Sequence, residues 1–231
     1  MSYEKAKDLL DPADKQNVPK AVNLIQNLLK LETEESIPML PNIHMCYLVF
    51  TAKVFNCFMA PFITVTMSIS QQIRSLSAYT HLATAMYIKS GLGFMNGALY
   101  ADSQAIVKNI MFTAAKLQKL SPDIKYYITL EGTDRLENLF SNCRTQDHAR
   151  NFDILQLSQK LSIAAEITAI FEKYPDLDRG HRRRNLDGAS GIDHVNPASW
   201  IGDVRVGSVD LVQEWKNGRD DAEHMLQTYL G

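Results

Sequence analysis

Cysteine is scarce in this sequence, and its spacing argues against two classes of small protein. Only three cysteines occur in 231 residues, Cys46, Cys57 and Cys143, and no CxxC pair is present. An odd number at this low density does not support a disulfide framework, and no zinc-type spacing of cysteine and histidine appears. We therefore expect a chain kept in a reducing, intracellular compartment.

A charge excess and a long apolar run are also missing. The formal net charge is −2, which gives no overall attraction to nucleic acid or to an anionic membrane. The most apolar stretch, residues 45–69, is interrupted by Lys53, Asn56 and Pro61, so it falls short of the roughly 20 apolar residues of a membrane span. The charged N-terminus has no apolar segment of secretory type. We expect no membrane partner.

The common catalytic motifs are absent as well. The sequence contains no GxxxxGK[ST] phosphate loop, no HExxH and no GxSxG. Gly91, Gly93 and Gly97 do not follow a predicted strand, so they do not indicate a dinucleotide site. The six histidines are scattered, which is typical of surface or hydrogen-bonded core residues rather than of metal ligands.

Helical periodicity is what the sequence has in abundance. Apolar residues make up 45% and charged residues 22%, as in ordinary globular chains. Val22, Ile25 and Leu29 illustrate the three- and four-residue spacing of a helix face. The apolar residues of the helix predicted over 101–120 are Ile106, Ile110, Phe112, Ala114 and Leu117. The inward residues predicted for the helix over 151–174 are Leu155, Leu157, Leu161, Ala164, Ile167, Ile170 and Phe171. Predicted helices span residues 3–10, 17–31, 43–58, 65–90, 101–120, 133–144, 151–174 and 209–230.

One strand candidate accompanies these helices. Residues 126–130, YYITL, are aromatic and β-branched. We predict a mainly α fold, a helical array with at most one or two short strands near residues 125–130. Residues 1–42 form N-terminal helices and a loop, and residues 43–231 form a helical domain.

An acidic helix is predicted directly after the strand candidate. Residues 128–144 read ITLEGTDRLENLFSNCR. Glu137 and Asp134 on the outer face can bind a divalent ion, and Arg144 can receive a phosphate. The same pattern also follows from helix electrostatics alone, which favour acids in the first turn and a cation in the last. The face predicted to be buried carries Leu136, Leu139, Phe140 and Cys143.

A basic segment lies in a long predicted loop, residues 176–197. It reads DRGHRRR and contributes Arg179, Arg182, Arg183 and Arg184. Arginines of this kind contact the phosphates of DNA or RNA. The alternative is a solvated loop, because four aspartates at positions 176, 178, 187 and 193 nearly balance the charge.

Four blocks of the sequence carry a family resemblance. They are LGFMNGALYADSQAIVKNI, GTDRLENLFSNCRTQDHARNFDILQLSQKL, DLDRGHRRR and DHVNPASWIGDVRV. From about residue 79 to residue 219 the chain resembles a recurrent segment of long, uncharacterised proteins of mushroom-forming fungi. Those relatives are generally much longer, so the resemblance implies a C-terminal portion or a truncated copy.

A more distant similarity is to the C-terminal part of P-element-like transposases. There a QDxxExxFxxxR pattern follows the last part of an RNase H-like core. The matching residues are Asp134, Glu137, Phe140 and Arg144, whereas Thr133 replaces the glutamine. This resemblance implies that Glu137 completes a two-metal site, that Asp134 orients it and that Arg144 contacts phosphate. Mg²⁺ or Mn²⁺ is expected only if that site is complete.

The upstream half of such a site is not evident in the sequence. Asp102 opens a predicted helix, and no pair of aspartates lies on predicted strands. We therefore expect a catalytically incomplete, transposase-derived fragment that retains weak DNA binding, located in the nucleus. The alternative is a helical protein–protein interaction module with no nucleic-acid binding. It would bind a protein partner or a second copy through the apolar face of residues 43–69 or 151–174. A third hypothesis is a metal-dependent hydrolase in which histidines join Glu137.

Overall fold

The structure, a computed structural model, describes residues 3–11, 17–31, 42–132, 139–140, 142–144, 146, 151–174 and 197–230. This part of the chain is 80% helical and contains no strand, which confirms the predicted mainly α fold. The helices are α1 (Tyr3–Leu9), α2 (Val18–Lys30), α3 (Asn42–Ile63), α4 (Ile69–Ser90), α5 (Gly97–Leu120), α6 (Ile154–Lys173) and α7 (Leu211–Leu230). Short 3-10 helices span Gly91–Gly93, Ile128–Leu130, Pro197–Ser199 and Val206–Ser208. Residues 139–140 and 142–144 are also helical.

The chain divides into two compact units. The first consists of Met1–Thr129 and Asp187–Gly231, and the second of Leu130–Leu186. Helix α6 and the helical residues 139–140 and 142–144 belong to the second unit, and helices α1 to α5 and α7 belong to the first. The domain boundary predicted at residue 42 stays a prediction, because residues 32–41 lie outside the described part of the chain.

Helix α4 lies at the centre of the first unit and packs against α3, α5 and α7. It begins with a capping box in which Ser68 and Gln71 satisfy each other's backbone N–H groups. It ends at Gly91, whose φ of 51° is readily adopted only by glycine. Its fully buried side chains include Ile69, Ile73, Leu76 and Leu82. Each such side chain contributes about 1.5–3 kcal/mol on burial, so these residues dominate the core.

The α7 helix crosses α4 at Gly218, where the two backbones come very close. A Cβ atom at position 218 would collide with the carbonyl oxygen of Arg74 and with the side chain of Ser77. The Ser77 hydroxyl donates a hydrogen bond of 2.6 Å to the carbonyl of Trp215. Glycine weakens a helix by about 1 kcal/mol relative to alanine, so packing rather than propensity explains this residue.

Pro61 lies inside α3, although the sequence analysis ended this helix at residue 58. Proline lacks the N–H that the Cys57 carbonyl would accept in a regular helix. Instead, the Ser75 hydroxyl donates to the Cys57 oxygen at 2.9 Å. Gln72 Nε2 donates to the Pro61 oxygen at 2.6 Å. Two side chains of α4 thus satisfy carbonyls that the proline and the helix end leave open, and α3 continues to Ile63.

The strand predicted at residues 126–130 does not form. A single antiparallel bridge pairs Lys125 with Arg205. The Tyr126 N–H donates to the Val204 carbonyl at 2.9 Å. Both segments then turn into 3-10 helices, over Ile128–Leu130 and Val206–Ser208, so the ladder stops after one bridge.

The loop between α3 and α4 is held by residues 200–203. The N–H groups of Ile201 and Gly202 donate to the Val65 carbonyl at 2.8 and 3.0 Å. Trp200 Nε1 donates to the Met67 carbonyl at 2.9 Å. A Cβ atom at Gly202 would collide with the backbone of Met67, so only glycine fits this approach. Residues 200–203 thereby close the core at the start of α4.

Replacing either close-contact glycine tests this packing. We expect Gly202→Ala and Gly218→Ala each to lower the free energy of unfolding by about 3 kcal/mol or less, since a new Cβ must displace backbone atoms. Gly93→Ala is the matched control, because nothing lies within 4 Å of its Cβ position and its φ is not positive. That control should change stability by less than about 0.5 kcal/mol. Urea unfolding followed by circular dichroism measures all three, and a Gly218→Ala variant as stable as the control would contradict the close crossing.

Candidate functional site

Most of the residues predicted to carry function lie outside the described part of the chain. They are Asp134, Glu137, Arg179, Arg182, Arg183 and Arg184. The acidic metal site and the basic loop therefore stay predictions. Among the described residues, no group of three or more histidines, cysteines, aspartates or glutamates is placed to hold a metal ion.

The end of the predicted acidic helix is described, and its burial agrees only in part with the prediction. Cys143 is fully buried as predicted, whereas Phe140 is 40% exposed. Arg144 is exposed, in keeping with its predicted place on the outer face. The side chain of Lys160 on α6 is buried, and its Nζ donates to the Cys143 carbonyl at 3.2 Å. The sequence did not indicate that Lys160 is buried, because a lysine interrupts an apolar stripe. Its burial is explained by the contact with the Cys143 carbonyl.

Helix α6 buries a narrower face than its periodicity predicts. Leu155 and Ile170 were expected to point inward but are 67% and 48% exposed. Ala164 is fully buried, and Leu157 and Leu161 are partly buried. The side chain of Phe171, also predicted inward, lies outside the described residues.

Beside that buried face runs a stripe that we call the α6 seam. It consists of Ile163, Ile167 and Ile170, in steps of four and three residues, followed by Tyr174, the C-cap residue directly after the helix. Ile163 and Ile170 are 48% exposed and Ile167 is partly buried. This alternation is the heptad spacing with which one helix packs along another.

The outer side of α5 carries a second exposed stripe, which we call the α5 lysine face. It consists of Lys108, Phe112, Lys116 and Lys119, all of them exposed. Phe112 was predicted to be a core residue of this helix, yet it is 65% exposed. The face that α5 buries carries Ser103, Val107, Ile110 and Ala114.

An open cleft of about 450 Å³ lies between α3, α4 and α7. Its lining residues are Cys57, Gln71, Arg74, Ser75, Ala78, Asp221, His224 and Met225. Arg74 donates from Nε and Nη2 to the two carboxylate oxygens of Asp221 at 2.5 and 2.6 Å. The hydrogen bond to Asp221 raises the pKa of Arg74 above its usual value. Because both side chains are at least one-third exposed, the pair adds no more than about 1 kcal/mol to stability.

Cys57 lines this cleft but is not an activated nucleophile. Burial of the sulfur, followed by the charge of Asp221, raises the pKa of the Cys57 thiol to about 11. The thiol is therefore protonated at neutral pH, whereas nucleophilic cysteines are those whose pKa is lowered. The cleft can accept a small molecule in shape, and its lining combines the Arg74–Asp221 ion pair, the protonated Cys57 thiol and His224.

The α3 helix bears on the prediction that no membrane is involved. By length and composition alone its segment His44–Ile63 could cross a bilayer, and 28% of that segment is buried. The same helix packs against α2, α4 and α7 of its own unit. The absence of a membrane partner stays a prediction.

Comparison with known proteins identifies no relative of this chain. No family model matches it, and neither a curated protein nor a solved structure does. The resemblance to fungal proteins and to P-element-like transposases therefore stays a prediction, as do the intracellular and nuclear locations.

Thiol labelling tests the electrostatics of the cleft. At pH 7.5 we expect a maleimide to modify exposed Cys46 quickly and Cys57 far more slowly, because a pKa of about 11 keeps nearly all of the Cys57 sulfur as the unreactive thiol. The rate at Cys57 should climb as the pH approaches 11. Asp221→Asn should accelerate it, since the removed charge is one cause of the raised pKa. Peptide mass spectrometry reads each site, and equal rates at Cys46 and Cys57 would refute the assignment.

Proposed function

We propose that this chain is a non-catalytic helical module that binds another protein chain along the α6 seam, and that the first partner is a second copy of itself. The observation that carries the proposal is the partial exposure of Ile163 and Ile170 at heptad spacing. Covering a half-exposed isoleucine contributes roughly 1 kcal/mol, so a seam of four apolar residues supports a moderate affinity. Among the described residues no nucleophile is activated and no metal cluster occurs, which fits binding rather than catalysis.

The charges beside the seam favour a second copy in antiparallel orientation. Glu166 and Lys173 are both exposed and flank the seam near its two ends. When two such helices run antiparallel about the centre of the seam, Glu166 of each chain comes within reach of Lys173 of the other. One two-fold axis thus generates two equivalent ion pairs, as in the commonest kind of homodimer.

Sedimentation analysis of the purified chain tests this pairing. We expect a concentration-dependent dimer that Ile163→Ser with Ile170→Ser converts to a monomer, because the seam then loses its apolar contacts. Ile88→Ser with Ile154→Ser is the matched control, since these isoleucines are 81% and 85% exposed and neither belongs to the seam. The control should still dimerise.

Charge reversal gives an independent reading of the orientation. Glu166→Lys alone should weaken the dimer, and adding Lys173→Glu should restore it. A wild-type chain that stays monomeric at several hundred micromolar, or a seam variant that dimerises like wild type, would rule out self-association through α6.

The second candidate is a transposase-derived fragment that binds DNA weakly and does not cleave it. It is favoured by the exposure of Arg144, one of the residues that match the transposase pattern, together with the arginines at positions 179 and 182–184. Phosphate contacts of this kind give affinity without sequence specificity. Without the other acids of a two-metal site, Glu137 and Asp134 would not support strand cleavage.

A salt titration with a labelled DNA duplex tests this second candidate. If the basic loop contacts phosphates, changing Arg182, Arg183 and Arg184 to alanine should reduce the slope of log affinity against log salt by about 3, and Arg144→Ala should reduce it by about 1. Glu137→Ala should leave binding unchanged. Absence of binding even at low salt would leave the protein-interaction module as the better function.

A further inference from the structure

The outer side of α5 carries three exposed lysines on one helix of the first unit. Lys108, Lys116 and Lys119 lie at i, i+8 and i+11, so they follow one side of the helix over about 16 Å. That side faces away from Val107, Ile110 and Ala114, which α5 buries in the core. One side of α5 therefore packs on the core, and the other side is exposed.

Asp102, near its start, is the one acidic residue of α5, and Asp123 follows the end of the helix. The sequence has no aspartate or glutamate between residues 103 and 122, although the whole chain has a net charge of −2. None of the three lysines has an ion-pair partner among the described residues. A local cluster of positive charge attracts polyanions even when the whole protein is slightly acidic.

An aromatic ring lies in the middle of this basic stripe. Phe112 occupies position i+4 between Lys108 and Lys116, and 65% of its surface is exposed. The Nζ of Lys108 lies 5.8 Å from the centre of the ring. An exposed phenylalanine is costly in water, but a flat ring flanked by cations is the combination with which proteins hold unpaired bases.

We propose that the α5 lysine face binds single-stranded nucleic acid, with the three lysines on phosphates and Phe112 stacked on a base. A single helix is a convex ridge, which a flexible strand can follow. An acidic peptide, in contrast, would need a groove for its own apolar side chains. The proposal uses none of the arginines at positions 182–184, and it does not depend on the α6 seam.

Fluorescence anisotropy with a labelled 30-nucleotide oligo-dT tests the proposal on the full chain. In low salt we expect a dissociation constant between about 10⁻⁶ and 10⁻⁴ M. Changing Lys108, Lys116 and Lys119 to glutamine should lower the slope of log affinity against log salt by about 2. Changing Lys7, Lys89 and Lys216 to glutamine is the matched control, because these lysines are exposed on other helices and carry the same charge.

The aromatic contribution is tested separately. Phe112→Leu keeps an apolar residue but removes the stacking surface, and it should weaken oligo-dT binding about 10-fold. Leu99→Ala, which also alters an exposed apolar side chain of α5, should have no effect. All of these variants change exposed side chains, so circular dichroism should show an intact fold.

Three results would overturn the proposal. The first is no binding of oligo-dT in low salt. The second is equal loss of affinity in the α5 variant and in its lysine control. The third combines two observations: poly-glutamate competes as strongly as unlabelled oligo-dT, and Phe112→Leu has no effect on binding. Together they would show that the face binds polyanions or acidic peptides in general. Retained binding in the Arg182, Arg183 and Arg184 variant would support the α5 site and would separate it from the DNA-binding candidate above.

Discussion

The close contact between α4 and α7 is the constraint on which the first unit depends. At Gly218 the α7 backbone reaches the carbonyl of Arg74, and the Ser77 hydroxyl links the two helices. The buried side of α4 can then face α3, α5 and α7 at once, so one helix organises the core. A side chain at position 218 would separate the helices and remove contacts on both.

Backbone hydrogen bonding follows from the same arrangement. Pro61 leaves the Cys57 carbonyl without its helical partner, and Ser75 on α4 supplies the missing donor. The 200–203 segment does the same for the loop that enters α4, through Trp200 and Gly202. Backbone carbonyls near the core thus accept hydrogen bonds from elements distant in sequence. These bonds allow α3 to continue across Pro61 and hold the loop between α3 and α4 in place.

The surfaces proposed to bind partners lie on helices that are packed on one side only. On α6 the free side is apolar at heptad spacing, which suits a second helix, whereas on α5 it is basic around one aromatic ring, which suits a polyanion. Neither surface carries catalytic chemistry, and the thiol in the cleft is protonated because it is partly buried beside Asp221. Binding is the function that we propose for these two surfaces, with protein on α6 and nucleic acid on α5.

Sequence periodicity by itself determined the helical class and the approximate positions of the helices, because three- and four-residue apolar spacing is a local property of the chain. It did not determine which side each helix buries: Phe112, Leu155 and Ile170 read as core residues and are exposed, whereas Lys160 is buried. It also ended α3 before Pro61 and placed a strand at residues 126–130. Tertiary structure decided those outcomes, because each depends on residues far apart in the chain. The Ser75 hydrogen bond lets α3 continue past Pro61, and the strand is reduced to the single Lys125–Arg205 bridge. The number of neighbouring helices decides how much of each helix is buried. The same holds for candidate sites. Residue types in the sequence can suggest phosphate or metal chemistry, but only the tertiary structure shows which side chains are exposed and available to bind.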